Sequence, residues 1–330
     1  MIREWGSSIM SNSKPIRKKM YRILTIIGAI FLVIIIYYAY VLYTTAHRAY
    51  EPPKQTKSDK RTQMVDFSED PISLLLLGVD QRLGDIGRAD TIIYLALNPK
   101  QKNIYLTNIP RDTLVYIPKH GQDKINHSYA FGGVDLAKHT VEHFLDLPVD
   151  GYVKINMQGL ESMVDALGGI QVHVPFNFSY HGSSFYKGNM HLNGKQALAF
   201  VQMRKEDPEG DIGRNKRQQE VIRAIIHKGT QFRSLTKLDD MMEQVGTQIR
   251  TDLSPWKLFT LQQNYKNISD QNMTSLSFHT VPVTRHGVFY WMIKKREVER
   301  VRTILARQLE LSMSSTISSD ISHKKSLITK

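Results

Sequence analysis

Short runs rich in aliphatic and β-branched residues occupy Leu74 to Leu77, Thr91 to Leu97 and Ile104 to Ile109. They are separated by Gly, Asp or the Asn98-Pro99 pair, and this punctuation predicts three strands. Short connections between them imply an antiparallel meander. With a polar loop from Asp80 to Asp90 joining the first two strands, and the third returning to the same edge, Asp80, Arg82, Arg88, Asp90, Arg111 and Asp112 should converge there. Thr113 to Ile117 is expected to prolong the third strand up to Pro118, and the stretch from Gly121 to Lys124 reads as a loop.

The period then changes. Leu136, Ala137, Val141, Phe144 and Leu145 recur at helical spacing within Val134 to Leu145, and Tyr152 to Ile155 reads as a strand. Gly159 to Leu167 predicts a second helix ending at Gly168-Gly169, before a strand over Ile170 to Val174. Strand, helix, strand implies a right-handed crossover and parallel pairing, hence an α/β fold with a mixed central sheet sandwiched by helices. Residues 175–194 read as a loop or irregular hairpin over the site, and the spacing of His181 and His191 matches no metal-ligand motif. A helix from Asn193-Gly194 should deliver Arg204 at its end. The next should open at Arg214 to Glu220 and run into Val221, Ile222, Ile225 and Ile226. Arg214 and Gln218 then share a face, and basic residues beside free first-turn amides suggest a bound anion. Further on, Leu238 to Ile249 predicts a helix, Ser254-Pro255 caps another through Leu261, Ser275 to Val283 reads as a strand, and Glu297 to Leu311 as a last helix. Trp256, Tyr290 and Trp291 are assigned to core packing rather than sugar stacking.

Composition adds the setting. The net charge of +13 favours anionic partners, and the absence of cysteine excludes a thiol nucleophile or any Cys-ligated metal. Tyr21 to Tyr43 exceeds the roughly 20 residues that cross a bilayer, with Lys14, Arg17, Lys18, Lys19 and Arg22 on its near side and tyrosines at its far end. A cleaved signal peptide would have a shorter apolar core. The expected organisation is a cytoplasmic N-terminus (1–20), a transmembrane helix (21–43), an extracytoplasmic stalk (44–70), a catalytic domain (71–311, motif core 71–230) and a disordered tail (312–330). That makes the chain a single-pass type II protein of the cell membrane, with its catalytic domain outside.

Carboxylates and guanidiniums gathered at one sheet edge suit a magnesium-bound polyphosphate, since the ion takes hard oxygens and the planar forks take phosphate oxygens. The pieces Gly78-Val79-Asp80-Gln81-Arg82, Gly87-Arg88-Ala89-Asp90-Thr91, Ile109-Pro110-Arg111-Asp112-Thr113, Lys124-Ile125-Asn126, Val164 to Ile170, Met203-Arg204-Lys205 and Gly210 to Gln218 come in a particular order. As a set, behind one membrane segment, they resemble the LytR-CpsA-Psr family of cell-wall glycopolymer transferases, and more closely its teichoic acid transferase branch. The resemblance implies a phosphotransferase using Mg2+, with Mn2+ as the alternative. Its partners would be a polyprenyl-pyrophosphate-linked glycopolymer, peptidoglycan and cytoplasmic membrane lipid, with no nucleic acid.

By position, Asp80 and Asp90 match the family's metal ligands, and Arg88, Arg111, Arg204, Arg214 and Gln218 its pyrophosphate-binding residues, with Arg82 and Arg217 as supporting members. Asp90, Arg111 and Asp112 are the catalytic candidates, where Asp90 or Asp112 takes the acceptor proton or Asp112 orients an arginine. Gln202 stands where many members have arginine. Two other functions use the same residues: a hydrolase acting on lipid-linked pyrophosphate, and a non-catalytic binder of anionic polymer. The second leaves the paired aspartates unexplained, because carboxylates repel phosphate unless a cation lies between them.

Overall fold

The computed structural model describes residues 49–53, 57–80, 86–231 and 248–311. The predicted span 21–43, Arg82, most of the helix predicted over Leu238 to Ile249, and the tail lie outside them. Among the described residues no helix is long and apolar enough to cross a membrane.

The predicted meander is present and longer than expected. Strand β1 (Ile72–Asp80) pairs antiparallel with β2 (Arg88–Asn98), which pairs antiparallel with β3 (Asn103–Asn108). Asp80, Arg88 and Asp90 are therefore strand residues rather than loop residues. Thr113 to Ile117 does not extend β3. After Pro110 the chain turns, and β4 (Leu114–Ile117) forms its own hairpin with β5 (Gly121–Lys124), so the predicted loop at 121–124 is a strand. Helix α1 (His127–Leu145) is kinked at Gly132-Gly133, where the sequence places the start of a helix. It leads to β6 (Gly151–Asn156), which lies parallel to β1.

Here the expected crossover fails. Helix α2 (Met157–Ala166) leads to β7 (Ile170–Val174), but β7 leaves the central sheet and pairs with β10 (Gly188–Leu192). Its burial alternates, with Ile170, Val172 and Val174 buried and Gln171 and His173 exposed. Such a strand covers one apolar face, whereas a central parallel strand is buried on both. Between them, β8 (Phe178–Tyr180) and β9 (Ser183–Phe185) form a short hairpin. These strands, with α2, α3 (Gly194–Gln202) and α4 (Asp211–Gln231), enclose a cluster around Phe185, Phe200 and Val221.

The remaining elements are β11 (Ile249–Thr251), α5 (Pro255–Asn264), β12 (Met273–Leu276), β13 (Thr280–Arg285), β14 (Val288–Ile293) and α6 (Lys295–Gln308). Ile249, predicted to close a helix, begins β11. The single strand expected over Ser275 to Val283 is two, because β12 joins β3 in parallel while β13 turns back on β14. The central sheet has the order β11-β6-β1-β2-β3-β12 and is mixed. Its alternating side chains fill two cores. Leu75, Leu77 and Val79 face α1 and α6, whereas Ile72 and Leu74 share the other face with Ile93, Leu253 and Tyr265, beside Ile222 and Ile226 of α4. Truncating a fully buried leucine such as Leu75 or Leu77 costs about 2–5 kcal/mol in transfer and cavity terms. The sheet is thus a rigid mount for what its edge carries.

Candidate active site

The first wall of the site is the end of the β1–β2 hairpin. Gly78 pairs with Thr91 and Val79 with Ala89, so Asp90 is the extra residue of a β-bulge. A bulge bends its strand and re-aims a side chain, which accounts for a carboxylate leaving the regular alternation here. Gly78 is required opposite it, since a Cβ would lie 2.8 Å from that of Thr91. One step further, Asp80 pairs with Arg88, whose side chain is exposed. Arg111, just beyond β3, places Nη1 3.0 Å from Asp90 Oδ2 and Nε 3.6 Å from Asp112 Oδ2. The other Asp112 oxygen, Oδ1, sits 2.8 Å from Lys124 Nζ, and its carbonyl accepts from the Trp291 amide at 2.9 Å. Asp112 is buried between two cations, a setting that suits orienting Arg111 better than accepting a proton.

The second wall comes from the α3–α4 connection. Helix α3 starts on a capping box between Asn193 and Gln196 and ends at Gln202, so Arg204 lies just past the helix rather than on it. Helix α4 starts at Asp211, three residues before the predicted opening. The Arg214 amide is thus already bonded to the Gly210 carbonyl at 3.1 Å, and an anion here would be held by side chains. Asp211 Oδ1 lies 2.9 Å from Arg204 Nε and 2.8 Å from Arg214 Nη2. Neither contact is aligned as a hydrogen bond: Asp211 Oδ1, Arg214 Nε and Arg111 Nε are buried without hydrogen-bond partners. The walls meet where Asn108 Nδ2 donates to Gln218 Oε1 at 3.0 Å, which leaves the Gln218 amino group to donate to a ligand.

The convergence shapes the electrostatics of the arginines. Burial opposes the Arg111 charge, but Asp90, with Asp112 and Asp211, outweighs it and raises the guanidinium above its ordinary pKa. Burial lowers Arg214, Asp211 partly offsets this, and Arg111 and Arg204 push it lower still. An anion between these arginines would relieve that repulsion.

Arg217 does not join the collar. It is buried, donates Nε to the Phe200 carbonyl at 2.9 Å, and closes on Asp207 and the Met203 carbonyl. Gly213 makes room for this pair, since a Cβ there would stand 2.0 Å from Asp207 Oδ2. Arg217 thus fixes the loop that carries Arg204. Gln202 reaches only Met157, Nε2 to Sδ at 3.6 Å. Asn108, Lys124 and Asp211 take part without having been assigned roles from sequence. The available signals were the motif pieces that contain Lys124 and Asp211 and the i, i+3 spacing of Asp211 and Arg214.

No group of three or more His, Asp or Glu among the described residues is arranged to hold a metal. Two hard carboxylates, Asp80 and Asp90, at the same strand ends fit Mg2+, which binds one or two carboxylates and fills its octahedron with waters and phosphate oxygens. A cavity of about 670 Å3 lies elsewhere, between α1 and β6, and Lys138, Lys154, Glu142 and Asp252 line it beside Tyr129 and Phe67. It contains none of the collar residues.

Known proteins share this plan. A polyisoprenyl-teichoic acid–peptidoglycan teichoic acid transferase TagU of Bacillus licheniformis is 47% identical over 257 residues, covering 77% of this chain and 84% of its own. The crystal structure of B. subtilis TagU superposes with a TM-score of 0.62 at 40% identity, over 75% of this chain and all of that one. A LytR-CPS2A-psr family protein, YwtF (TagT), solved with bound octaprenyl pyrophosphate lipid, superposes at 0.65 and 30% identity over 79% of this chain and 99% of its own. The LytR_cpsA_psr family model matches residues 36–307, a span that takes in both walls and the sheet between them. With relatives this similar over most of its length, the chain belongs to the LytR_cpsA_psr family.

Proposed function

We propose that this chain transfers a teichoic acid or related anionic glycopolymer from a polyprenyl-pyrophosphate carrier to a peptidoglycan hydroxyl. The observation that carries this is the collar, in which Arg111 from the strand wall and Arg204 and Arg214 from the helix wall lie close enough to act on one another's charge while their side chains stay partly exposed. The outward N–H groups of these guanidiniums and the Gln218 amide match the oxygens of a pyrophosphate. The relatives' named activity supplies the glycopolymer and the acceptor.

In the reaction, the acceptor hydroxyl oxygen bonds to the glycan-side phosphorus as the bridging P–O bond breaks. Polyprenyl phosphate leaves, and a phosphodiester remains. Arg204, Arg214 and Gln218 hold the charge that develops on the phosphoryl oxygens. Arg111, steadied by Asp112 and Lys124, closes the site from the strand side. Phosphoryl transfer needs such positioning and neutralisation more than a covalent side chain, consistent with the absence of cysteine. Asp80 and Asp90 would hold Mg2+, which when bound would neutralise charge on the phosphates. Asp112 is held between Arg111 and Lys124, and Asp90, already paired with Arg111, would also hold the metal, so both carboxylates position cations and the acceptor proton ends on the leaving polyprenyl phosphate. In the cell, residues 21–43 would anchor the chain with this site outside.

The test combines the protein with a lipid-pyrophosphate-linked saccharide, a peptidoglycan oligomer and Mg2+, and follows covalent conjugate. Conjugate that disappears with a chelator and returns with Mg2+ is expected. Donor binding without conjugate, where a known transferase makes it, would overturn the reading, and donor cleavage without conjugate would make the protein a hydrolase.

A further inference from the structure

Helix α5 is turned inside out. At 100° per residue, Lys257, Leu261 and Asn264 occupy the side that packs on the domain. Lys257 Nζ lies 4.3 Å from the Phe67 ring centroid, Leu261 joins the second core, and Asn264 donates to the carbonyls of Phe67 and Ser68 at 3.1 Å. The opposite arc carries Trp256, Phe259 and Leu258, which are 71%, 51% and 41% exposed, with Gln262 and Gln263 and no charge. The Trp256 and Phe259 rings stand 5.6 Å apart, so the apolar surface is continuous. Single exposed apolar residues are ordinary, but a helix that points its lysine inward and its tryptophan outward has a surface built for something other than water.

The chain path indicates what covers it. The apolar stretch Tyr21 to Tyr43 ends seven residues before Tyr50. Tyr50 bridges to Thr251, and the Glu51 amide donates to the Thr251 carbonyl at 2.8 Å. Thr251 is four residues ahead of Pro255, the first residue of α5. Seven residues reach at most about 25 Å even when fully extended, so an anchor at 21–43 holds Tyr50 and its partner Thr251 near the bilayer and leaves α5, four residues further on, within reach of its surface. Trp, Phe and Leu on one helix face are the residues that enter that interface, and Arg48, between Tyr43 and Tyr50, would meet anionic headgroups.

We propose that α5 is a membrane-docking helix: Trp256, Leu258 and Phe259 insert into the outer surface of the bilayer in which the same chain is anchored. This rests on the anchor reading above. Two attachments, the span and the α5 face, fix the domain's tilt, so the collar is presented to a lipid-linked substrate at one height rather than swinging on its stalk.

The chain has no cysteine, so single labels are unambiguous. Full-length Trp256→Cys and Phe259→Cys variants, with Val288→Cys as an exposed control, are labelled with an environment-sensitive fluorophore and reconstituted into phosphatidylglycerol–phosphatidylethanolamine vesicles. Labels at 256 and 259 should shift to the blue and lose on the order of half their intensity to nitroxide lipids, while the label at 288 responds to aqueous iodide instead. If the protein floats with the vesicles but the labels at 256 and 259 behave as at 288, the docking is overturned and the anchor stands. Labels shielded from iodide yet insensitive to nitroxide lipids would mean that residues 232–247 or a second copy cover the face, again overturning it. Protein that does not float with the vesicles would overturn the anchor and the docking together.

Discussion

The strand wall and the helix wall use the same chemistry in different proportions. Around Arg111 the cations Arg88, Arg111 and Lys124 are matched by Asp80, Asp90 and Asp112, so that wall is close to neutral and its arginine is stabilised in place. Around α4, Arg204 and Arg214 share the single carboxylate of Asp211, which leaves an excess positive charge and an arginine whose charge is held against its own neighbours. A neutral wall cannot attract a pyrophosphate unless a cation joins it, whereas an under-compensated wall can. The two halves are therefore built for different tasks. In the proposed reaction the helix wall would bind the anion, and the strand wall would position a metal and the reacting oxygen.

This contrast can be broken at several points. The largest effect is expected for Arg217→Met, which strands Asp207 as a buried, unpaired carboxylate. It should cost about 3–5 kcal/mol in denaturant unfolding. An active, equally stable variant would show that Arg217 is not the brace of the helix wall. Next comes Asp90→Asn, expected to lower the transfer rate roughly 10²- to 10³-fold while donor binding, measured by titration, is kept or tightened. A matching loss of donor affinity would erase the division of labour between the walls. Arg214→Ala should do the reverse, weakening donor binding by about 10- to 100-fold through one charge-assisted contact. The smallest effect is expected from Asn108→Ala, about 0.5–1.5 kcal/mol at the link between the walls, read as a modest rise in donor KM.

The strand wall was the more legible half from sequence. The apolar runs and their Gly, Asp and Asn-Pro breaks marked the meander, and geometry alone then gathered Asp80, Arg88, Asp90 and Arg111. The bulge was not legible, because one extra residue in a run of mixed polarity leaves the alternation ambiguous, and it is the bulge that sets Asp90's direction. On the helix wall, Arg214 and Arg217 look equivalent, since three residues apart is nearly one face of a helix. What separates them is Asp207, in a turn whose course no period encodes, and the absence of a side chain at Gly213. Trp256 was assigned to the core on the preference of its residue type. The inversion of α5 was visible only once Phe67, nearly two hundred residues earlier, was seen to lie beneath Lys257.

The hydrogen bond from Asn108 to Gln218 joins residues 110 positions apart. A ribosome releases the strand wall long before α4 exists, and that stretch on its own is an almost neutral sheet edge with no grip on pyrophosphate. The nascent chain is therefore inert toward its carrier substrate until closure over a long loop, a slow class of contact, brings the late helix back to the early strands. Activity should appear in a single step at the end of folding, and a chain truncated before α4 would be silent rather than weakly active.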